Sequence, residues 1–139
     1  MLLSPRSVAF PRIVACVVCD FARDESKGKL TLAGFSGVTP NVTLYIDNFA
    51  KPVALTFVLH GERGPGRGML AFEFSSEASG APIAATNPQV ADVPSDKHFL
   101  AVFGAALLIP QPGRYRLKAF VDHAEAFSTT IDLVQGPLP

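Results

Sequence analysis

Two cysteines are the residues whose spacing most directly suggests chemistry. Cys16 and Cys19 form a Cys-Val-Val-Cys motif, which carries redox chemistry when it opens a helix after a strand. Here the motif lies within residues 13–19, a run rich in β-branched residues that favours a strand. In a strand, the two side chains point to opposite faces and the residues lie about 10 Å apart, which is too far for a disulfide. We therefore predict two buried structural thiols and no redox cofactor.

Other side chains that bind metals or transfer protons show no recognisable pattern. His60, His98 and His123 are scattered without metal-ligand spacing. The acidic residues fall into four groups, which are Asp20 with Asp24 and Glu25, Glu73 with Glu77, Asp92 with Asp96, and Asp122 with Glu125. None of these groups has the spacing of a calcium-binding loop. We predict no metal site, no catalytic residue and no cofactor. An enzyme is not expected. It would need Asp20, Arg23 or His123 to converge in a cleft with another polar group, and no spacing in the sequence indicates such a cleft.

Two glycine-containing segments are better explained as turns than as catalytic loops. Residues 61–68 lack the Lys-Ser/Thr ending of a phosphate-binding loop, and a strand pattern follows where a helix would have to supply the dipole. Residues 34–37 lack the Gly-x-Ser-x-Gly spacing of a nucleophile elbow. We predict that both segments connect strands.

The composition indicates a folded domain with more core material than surface charge. The 139 residues include 12 basic and 12 acidic side chains, while 17% of the residues are charged and 48% are hydrophobic. A disordered segment would show the opposite balance, and a generic nucleic-acid binder would show a clustered basic excess. We therefore predict a single domain over residues 1–139 and no nucleic acid as a partner.

No segment has the pattern of an export signal or a membrane span. The longest early apolar run covers residues 13–19, whereas a membrane helix needs about 20 apolar residues. Asp20 and Arg23 follow this run in place of a small-residue cleavage site. These observations predict a cytoplasmic location and no membrane partner.

Short apolar stretches alternate with turn residues along most of the chain. In residues 53–60 and 114–122, apolar side chains recur at every second position, which predicts strands with one buried face. Turns rich in Pro and Gly separate such segments, as in residues 110–113. The pattern predicts an all-β chain that forms an antiparallel β-sandwich of seven to eight strands.

Two segments leave room for more than one interpretation. Residues 76–96 are rich in Ser, Ala, Pro, Asn and Asp and predict a long loop, with room for a short edge strand near Ile83 or Val90. Residues 99–109 are apolar except for Gly104 and fit either a buried helix or a strand. The mid-run glycine and the closing Pro110 favour the strand.

Both ends of the chain carry motifs that occur together in one domain family. These are an apolar strand followed by Cys19-Asp20, Arg23, Gly28-Lys29 and Gly34-Phe35, and Pro112-Gly113-Arg114-Tyr115 before the final hairpin. With these motifs the chain resembles an uncharacterised bacterial β-sandwich domain family. The resemblance implies an immunoglobulin-like sandwich and supplies no activity, because the function of that family is unassigned.

The motif residues also have structural interpretations. Asp20 and Arg23, at the end of the first strand, are predicted to tie the hairpin together as a charged, hydrogen-bonded pair. Tyr115 is a candidate tyrosine corner, whose hydroxyl would dock on a neighbouring loop.

Two predicted strands are apolar on both faces, although an antiparallel sandwich buries only one face of each sheet. In the first strand, Ile13, Ala15, Val17 and Cys19 share one face, and Val14, Cys16 and Val18 share the other. The second strand covers residues 99–109. Their outer faces need a cover, which is either the 76–96 loop or another subunit. The candidate interface residues are Val14, Cys16, Val18, Leu100 and Val102.

From these features we predict a structural or protein-interaction module without enzymatic activity, which forms a homodimer through apolar strand faces. The alternative is a module that binds a small molecule or a peptide between the 76–96 loop and the sheet. A role within a larger protein assembly is a further possibility that the sequence leaves open.

Overall fold

A computed structural model describes residues 10–25 and 29–136, and these residues form strands joined by turns and loops, with no helix in either range. Twelve strands are described: β1 (Ile13–Cys19), β2 (Phe21–Asp24), β3 (Leu30–Ala33), β4 (Gly37–Val38), β5 (Thr43–Ile46), β6 (Val53–Arg63), β7 (Gly66–Ser76), β8 (Pro82–Ala85), β9 (Gln89–Val93), β10 (His98–Leu107), β11 (Gly113–Val121) and β12 (Ala124–Gln135). The prediction of an all-β chain is confirmed. The predicted number of seven to eight strands was too low, and the twelve include the short strands β2, β4, β8 and β9.

The strands form two main sheets and a small hairpin. The four-stranded sheet has the order β10-β6-β1-β4, and the larger sheet has the order β5-β12-β11-β7-β8, with β9 also paired to β7. Neighbouring strands are antiparallel except for β5 and β12, which are parallel. Strands β2 and β3 form the separate hairpin.

The hydrophobic core lies between the two main sheets. Phe57 of β6 meets Phe74 of β7 with ring centroids 5.5 Å apart, and Phe103 of β10 stacks on Phe72 of β7 at 5.2 Å. These four side chains are buried, and they belong to one cluster that draws residues from both sheets. Burial of aromatic and aliphatic area is the main term that stabilises such a fold.

The two segments with open interpretations are both resolved as strands. Residues 99–107 lie in β10 and pair regularly with β6 from Ala101 to Leu107, as the favoured interpretation predicted. In residues 76–96, the short edge strand allowed near Ile83 or Val90 is present at both places, as β8 and β9, which pair with one side of β7 and shorten the predicted loop. Most residues of these edge strands are exposed, so they lack the apolar alternation that reveals a strand.

Candidate interaction surface

The outer face of the four-stranded sheet carries an apolar band across all four strands. Val102 of β10 is paired with Val58 of β6, Val58 with Val17 of β1, and Val17 with Val38 of β4. Residues directly opposite each other in antiparallel strands point to the same face, so these four side chains form one line, called here the valine row. Val102 is 44% exposed and Val38 is 48% exposed.

Rows on either side of the valine row are also uncharged when histidine is neutral. On one side Leu100, His60 and Ala15 are paired across β10, β6 and β1, and Leu100 is exposed. On the other side the row consists of Gly104, Thr56 and Cys19. The outer face of an antiparallel sheet is normally polar, so these three rows form a surface that water solvates poorly.

The outer face of the larger sheet has the opposite character. Arg114 pairs with Asp132 at 2.9 Å, Arg116 pairs with Glu77 at 2.6 Å, and Lys118 lies 3.9 Å from Glu125. The hydrogen bond from Arg116 lowers the pKa of the Glu77 carboxyl, and the hydrogen bond from Arg114 lowers the pKa of the Asp132 carboxyl. One face of the molecule is therefore charged and hydrated, while the other is apolar.

Two of the five candidate interface residues were assigned to the wrong face. Cys16 and Val18 are fully buried in the core. The cause is a β-bulge, because Ile13 is opposite Gly61 while Ala15 is opposite His60, so β1 contains one extra residue. A shift of one residue exchanges the two faces of a strand.

The remaining candidates are accessible on the surface. Val14, at the bulge, is 43% exposed, and Leu100 and Val102 on β10 are exposed to a similar degree. Val17, Val58 and Val38 belong to the same surface but were not among the candidates. Their alignment depends on strand register, and a single sequence does not specify which residues lie opposite each other.

The hairpin β2–β3 covers one end of this apolar face. The Thr56 hydroxyl donates a 3.0 Å hydrogen bond to the backbone oxygen of Asp20, which places the start of the hairpin against β6. Cys19, on the outer side of β1, is only 1% exposed beneath it. The valine row stays open at its two ends, where Val38 and Val102 are exposed, whereas Val58 in its middle is only 5% exposed.

The predicted ion pair between Asp20 and Arg23 was wrong. Arg23 pairs with the carboxylate of Glu25 at 2.9 Å, and Thr31 donates a 2.7 Å hydrogen bond to the same oxygen. The Asp20 side chain instead occupies the space that a Cβ at Gly34 would need. The hairpin is thus tied across β2 and β3 by Glu25 and not along β2 by Asp20.

Both cysteines are free and buried. Burial raises the pKa of the Cys16 thiol to about 12, against a smaller lowering by the hydrogen bond with Thr39. Burial also raises the pKa of Cys19. A thiol that stays protonated is a poor nucleophile and a poor metal ligand, so this pair has the properties of structural residues. Within residues 10–25 and 29–136, no three metal-ligating side chains come together.

Tyr115 is buried, and its hydroxyl donates a 2.6 Å hydrogen bond to the backbone oxygen of Gln111. The acceptor lies four residues upstream in the chain, at the turn before β11. This is the contact that defines a tyrosine corner in β-sandwich proteins. It fixes the connection that leads from β10 of one sheet into β11 of the other.

A groove runs beside β10, at the open edge of the four-stranded sheet. One part, of about 350 Å³, lies between residues 101–104 of β10 and residues 86–91, with Leu70 and Phe72 of β7 also lining it. The other part, of about 630 Å³, lies between His98 and Leu100 of β10 and residues 92–97, with His60 also lining it. The rings of His60 and His98 stack at 5.7 Å.

Comparisons with known proteins identify no family. No family model matches the chain, and no curated protein matches it, which agrees with its resemblance to an uncharacterised family. Among solved structures, the chain is similar in part to the Pseudomonas fluorescens alkylpurine DNA glycosylase AlkC bound to DNA containing an abasic site analog. That likeness has a TM-score of 0.39 and 15% identity, and it covers 68% of this chain and 28% of the glycosylase. It carries no argument about activity.

One predicted absence has to be corrected. The balanced charge of the chain predicted that nucleic acid is not a partner, and the partly similar glycosylase structure, which contains DNA, contradicts that exclusion weakly. The exclusion is therefore withdrawn, and a likeness of this size does not support binding of DNA by this chain either. Among the residues that the structure describes, none forms a helix that could span a membrane.

Proposed function

We propose that this protein is a non-enzymatic interaction module that forms a homodimer through the outer face of its four-stranded sheet. The observation that carries the proposal is the valine row, which crosses β10, β6, β1 and β4 with Val102 and Val38 exposed. Contiguous exposed apolar patches mark interaction sites in proteins. The outer face of the larger sheet, in contrast, carries ion pairs and is not expected to be an apolar interface.

A second copy of the chain fits this surface better than a charged partner does. The rows that contain Leu100 and the valines offer no charged side chain for a charged partner to pair with, while the row that contains Thr56 is buried at the hairpin. In a two-fold dimer the same patch meets itself, so an apolar face is covered by an apolar face. The equal numbers of basic and acidic residues leave little long-range repulsion between copies.

Light scattering after size exclusion tests the proposal. Wild-type protein is expected to be a dimer at micromolar concentration, and Val38→Asp is expected to shift it to monomer, because the interface would have to bury an unpaired carboxylate. Val38 lies at the edge strand β4 and is half exposed, so the substitution leaves the core in place. Thermal unfolding of the variant at a concentration where both proteins are monomers checks that the domain still folds.

Tyr45→Asp is the matched control. Tyr45 is 51% exposed on β5, at an edge of the other sheet. This variant is expected to dimerise like the wild type, since it adds the same charge outside the proposed interface. A monomeric wild type, or equal dimerisation by wild type and Val38→Asp, would remove the proposal.

The proposal also includes an immunoglobulin-like fold and a cytoplasmic location. The hydrogen bond of Tyr115 supports an immunoglobulin-like sandwich. The two free thiols support a reducing compartment such as the cytoplasm.

A further inference from the structure

The outer edge of β10 lacks the protection that edge strands usually have. Within the described residues β10 pairs only with β6, so its other edge is open. Its ten residues, His98–Leu107, contain no Lys, Arg, Asp, Glu or Pro. Natural proteins protect open edges with charges, prolines or bulges, and here a single register shift lies at the beginning of the strand, between His98 and Leu100. The regular part from Ala101 onwards presents open backbone groups.

The groove beside this edge follows the strand. Along β10 its two parts are lined by His98 and Leu100 and then by residues 101–104, and on the opposite side by residues 92–97 and then 86–91. The two parts are therefore neighbours along the same edge. An added strand would find its backbone partners on β10 and space beneath it for the side chains that point inwards.

We infer that this groove binds an extended peptide, which pairs with the open edge of β10 as an additional strand of the four-stranded sheet. The inference goes beyond the proposed dimer, which uses the outer face of the sheet. The two sites meet at His60, Leu100 and Val102, whereas Leu70, Phe72 and Val90 line the groove away from that face. The inner part of the groove, about 350 Å³ beside Leu70 and Phe72, is the reason for choosing a peptide as the occupant. Filling this space requires a strand whose inward side chains are free to enter it.

A second copy of β10 would not fill this space. Its inward residues Phe99 and Phe103 are 1% and 7% exposed, because they pack in the core of their own domain. Pairing β10 with β10 of another copy would therefore leave the groove empty. The side chains of a separate extended peptide are not packed in a core, so they are free to enter the groove.

The lining residues define the chemistry of the peptide. Leu70, Phe72 and Phe103 line the inner side, and Val90, which is 56% exposed, lies on the opposite wall. Inward positions of the peptide are therefore apolar. Because side chains of a strand alternate between faces, these apolar positions recur at every second residue.

At the other end of the groove, charge complementarity selects a basic residue. Asp92, Asp96 and Lys97 line this end together with His60 and His98, so carboxylates outnumber ammonium groups when histidine is neutral. In the described ranges, neither Asp92 nor Asp96 belongs to an ion pair. A Lys or Arg of the peptide would pair with them.

Fluorescence polarisation with labelled synthetic peptides tests the inference. The probe is Lys-Val-Thr-Val-Thr-Val-Thr-Val-Lys, which has alternating apolar residues and a base at either end, so that it suits both strand directions. Saturable binding is expected, together with slower hydrogen exchange at the amides of β10. A peptide with Glu in place of both Lys should bind more weakly. Replacing the central two Val by Pro should abolish binding, since Pro cannot donate to the ladder.

Protein variants separate this site from the proposed dimer interface. Val90→Lys adds a charge of the same sign as the peptide to the apolar wall, so it is expected to weaken binding of the Lys peptide by about tenfold, equivalent to ~1.4 kcal/mol, while leaving dimerisation unchanged. Tyr45→Lys is the matched control for peptide binding, and Val38→Asp should disturb only the dimer. The inference is overturned if the Lys peptide does not bind, if the Pro peptide binds equally well, or if Val90→Lys binds like the wild type.

Discussion

The hydroxyl of Tyr115 donates a 2.6 Å hydrogen bond to the backbone oxygen of Gln111, and its ring stacks on Phe74 at 5.6 Å. Tyr115→Phe keeps the ring and removes the donor. The carbonyl oxygen then loses its partner, and we expect the free energy of unfolding to fall by about 1–3 kcal/mol. Urea denaturation measures the change.

Tyr45→Phe provides the control for this prediction. Tyr45 is half exposed, so its hydroxyl is hydrated with or without the fold, and a change within about 0.5 kcal/mol is expected. Equal effects of the two substitutions would show that the Tyr115 hydroxyl has no special role in the connection between the sheets.

The buried thiol of Cys16 predicts a loss of stability in alkaline solution. Burial raises its pKa from 9.0 to about 12 in the folded chain, so the folded state favours the protonated thiol. The contribution is fully present below about pH 9 and decreases as the pH rises towards 12. Cys16→Ala should therefore show a weaker decrease in stability over this range than the wild type, although it is less stable at neutral pH.

Urea denaturation of both proteins across this pH range gives the comparison, because the other titrating groups are common to the two. Parallel pH profiles would contradict the assigned pKa. A second readout is alkylation by iodoacetamide, which should modify Cys16 only after unfolding.

Gly61 is predicted to be intolerant of any side chain. It lies in β6, and a Cβ added there would lie 2.6 Å from the backbone oxygen of Arg12 and 3.0 Å from the Cβ of Phe99. Gly61→Ala forces the backbone before β1 and Phe99 of β10 away from β6, so we expect a loss of about 1–3 kcal/mol in the free energy of unfolding. Chemical denaturation measures it.

Gly104→Ala is the matched control, because Gly104 also lies in a paired strand and its φ is not positive. The nearest atom to its added Cβ is the Thr56 hydroxyl oxygen at 3.1 Å. A side chain can adjust where a backbone oxygen cannot, so the loss should stay within about 0.5 kcal/mol. If Gly104→Ala cost as much as Gly61→Ala, steric exclusion at Gly61 would not be the explanation.

Sequence patterns were sufficient for the parts of the fold in which alternation is regular. The buried residues Tyr115, Leu117 and Ala119 of β11 occupy every second position, and their burial was evident from that spacing. In β1 the same reasoning failed at one point. The bulge between Ile13 and Ala15 adds a residue without any change in composition, so the faces of Cys16 and Val18 were exchanged.

The candidate surface could be predicted only in part. Leu100 and Val102 were found because their strand is apolar on both faces. The valine row joins residues from four distant segments, and only the register of β10, β6, β1 and β4 aligns them. Register depends on packing and bulges across the whole sheet, which a local pattern does not contain.

The turn between β11 and β12 predicts a substitution that stabilises the protein. Asp122 and His123 have φ values of 52° and 70°, as in the tight hairpin turns that favour Asp-Gly or Asn-Gly. His123→Gly relieves the backbone strain at the second position, and we expect a gain of about 1 kcal/mol in the free energy of unfolding. Thermal and urea unfolding both report it.

Asp122→Gly separates relief of strain from loss of a contact. Asp122 Oδ1 accepts a 2.9 Å hydrogen bond from the amide of Met69, which ties the turn to β7. Glycine at this position relieves the same kind of strain but removes this hydrogen bond, which contributes about 1 kcal/mol to the free energy of unfolding. The two effects nearly cancel, so Asp122→Gly should leave stability almost unchanged while His123→Gly raises it. A gain of equal size in both variants would mean that the side chain of Asp122 does not hold the turn against β7.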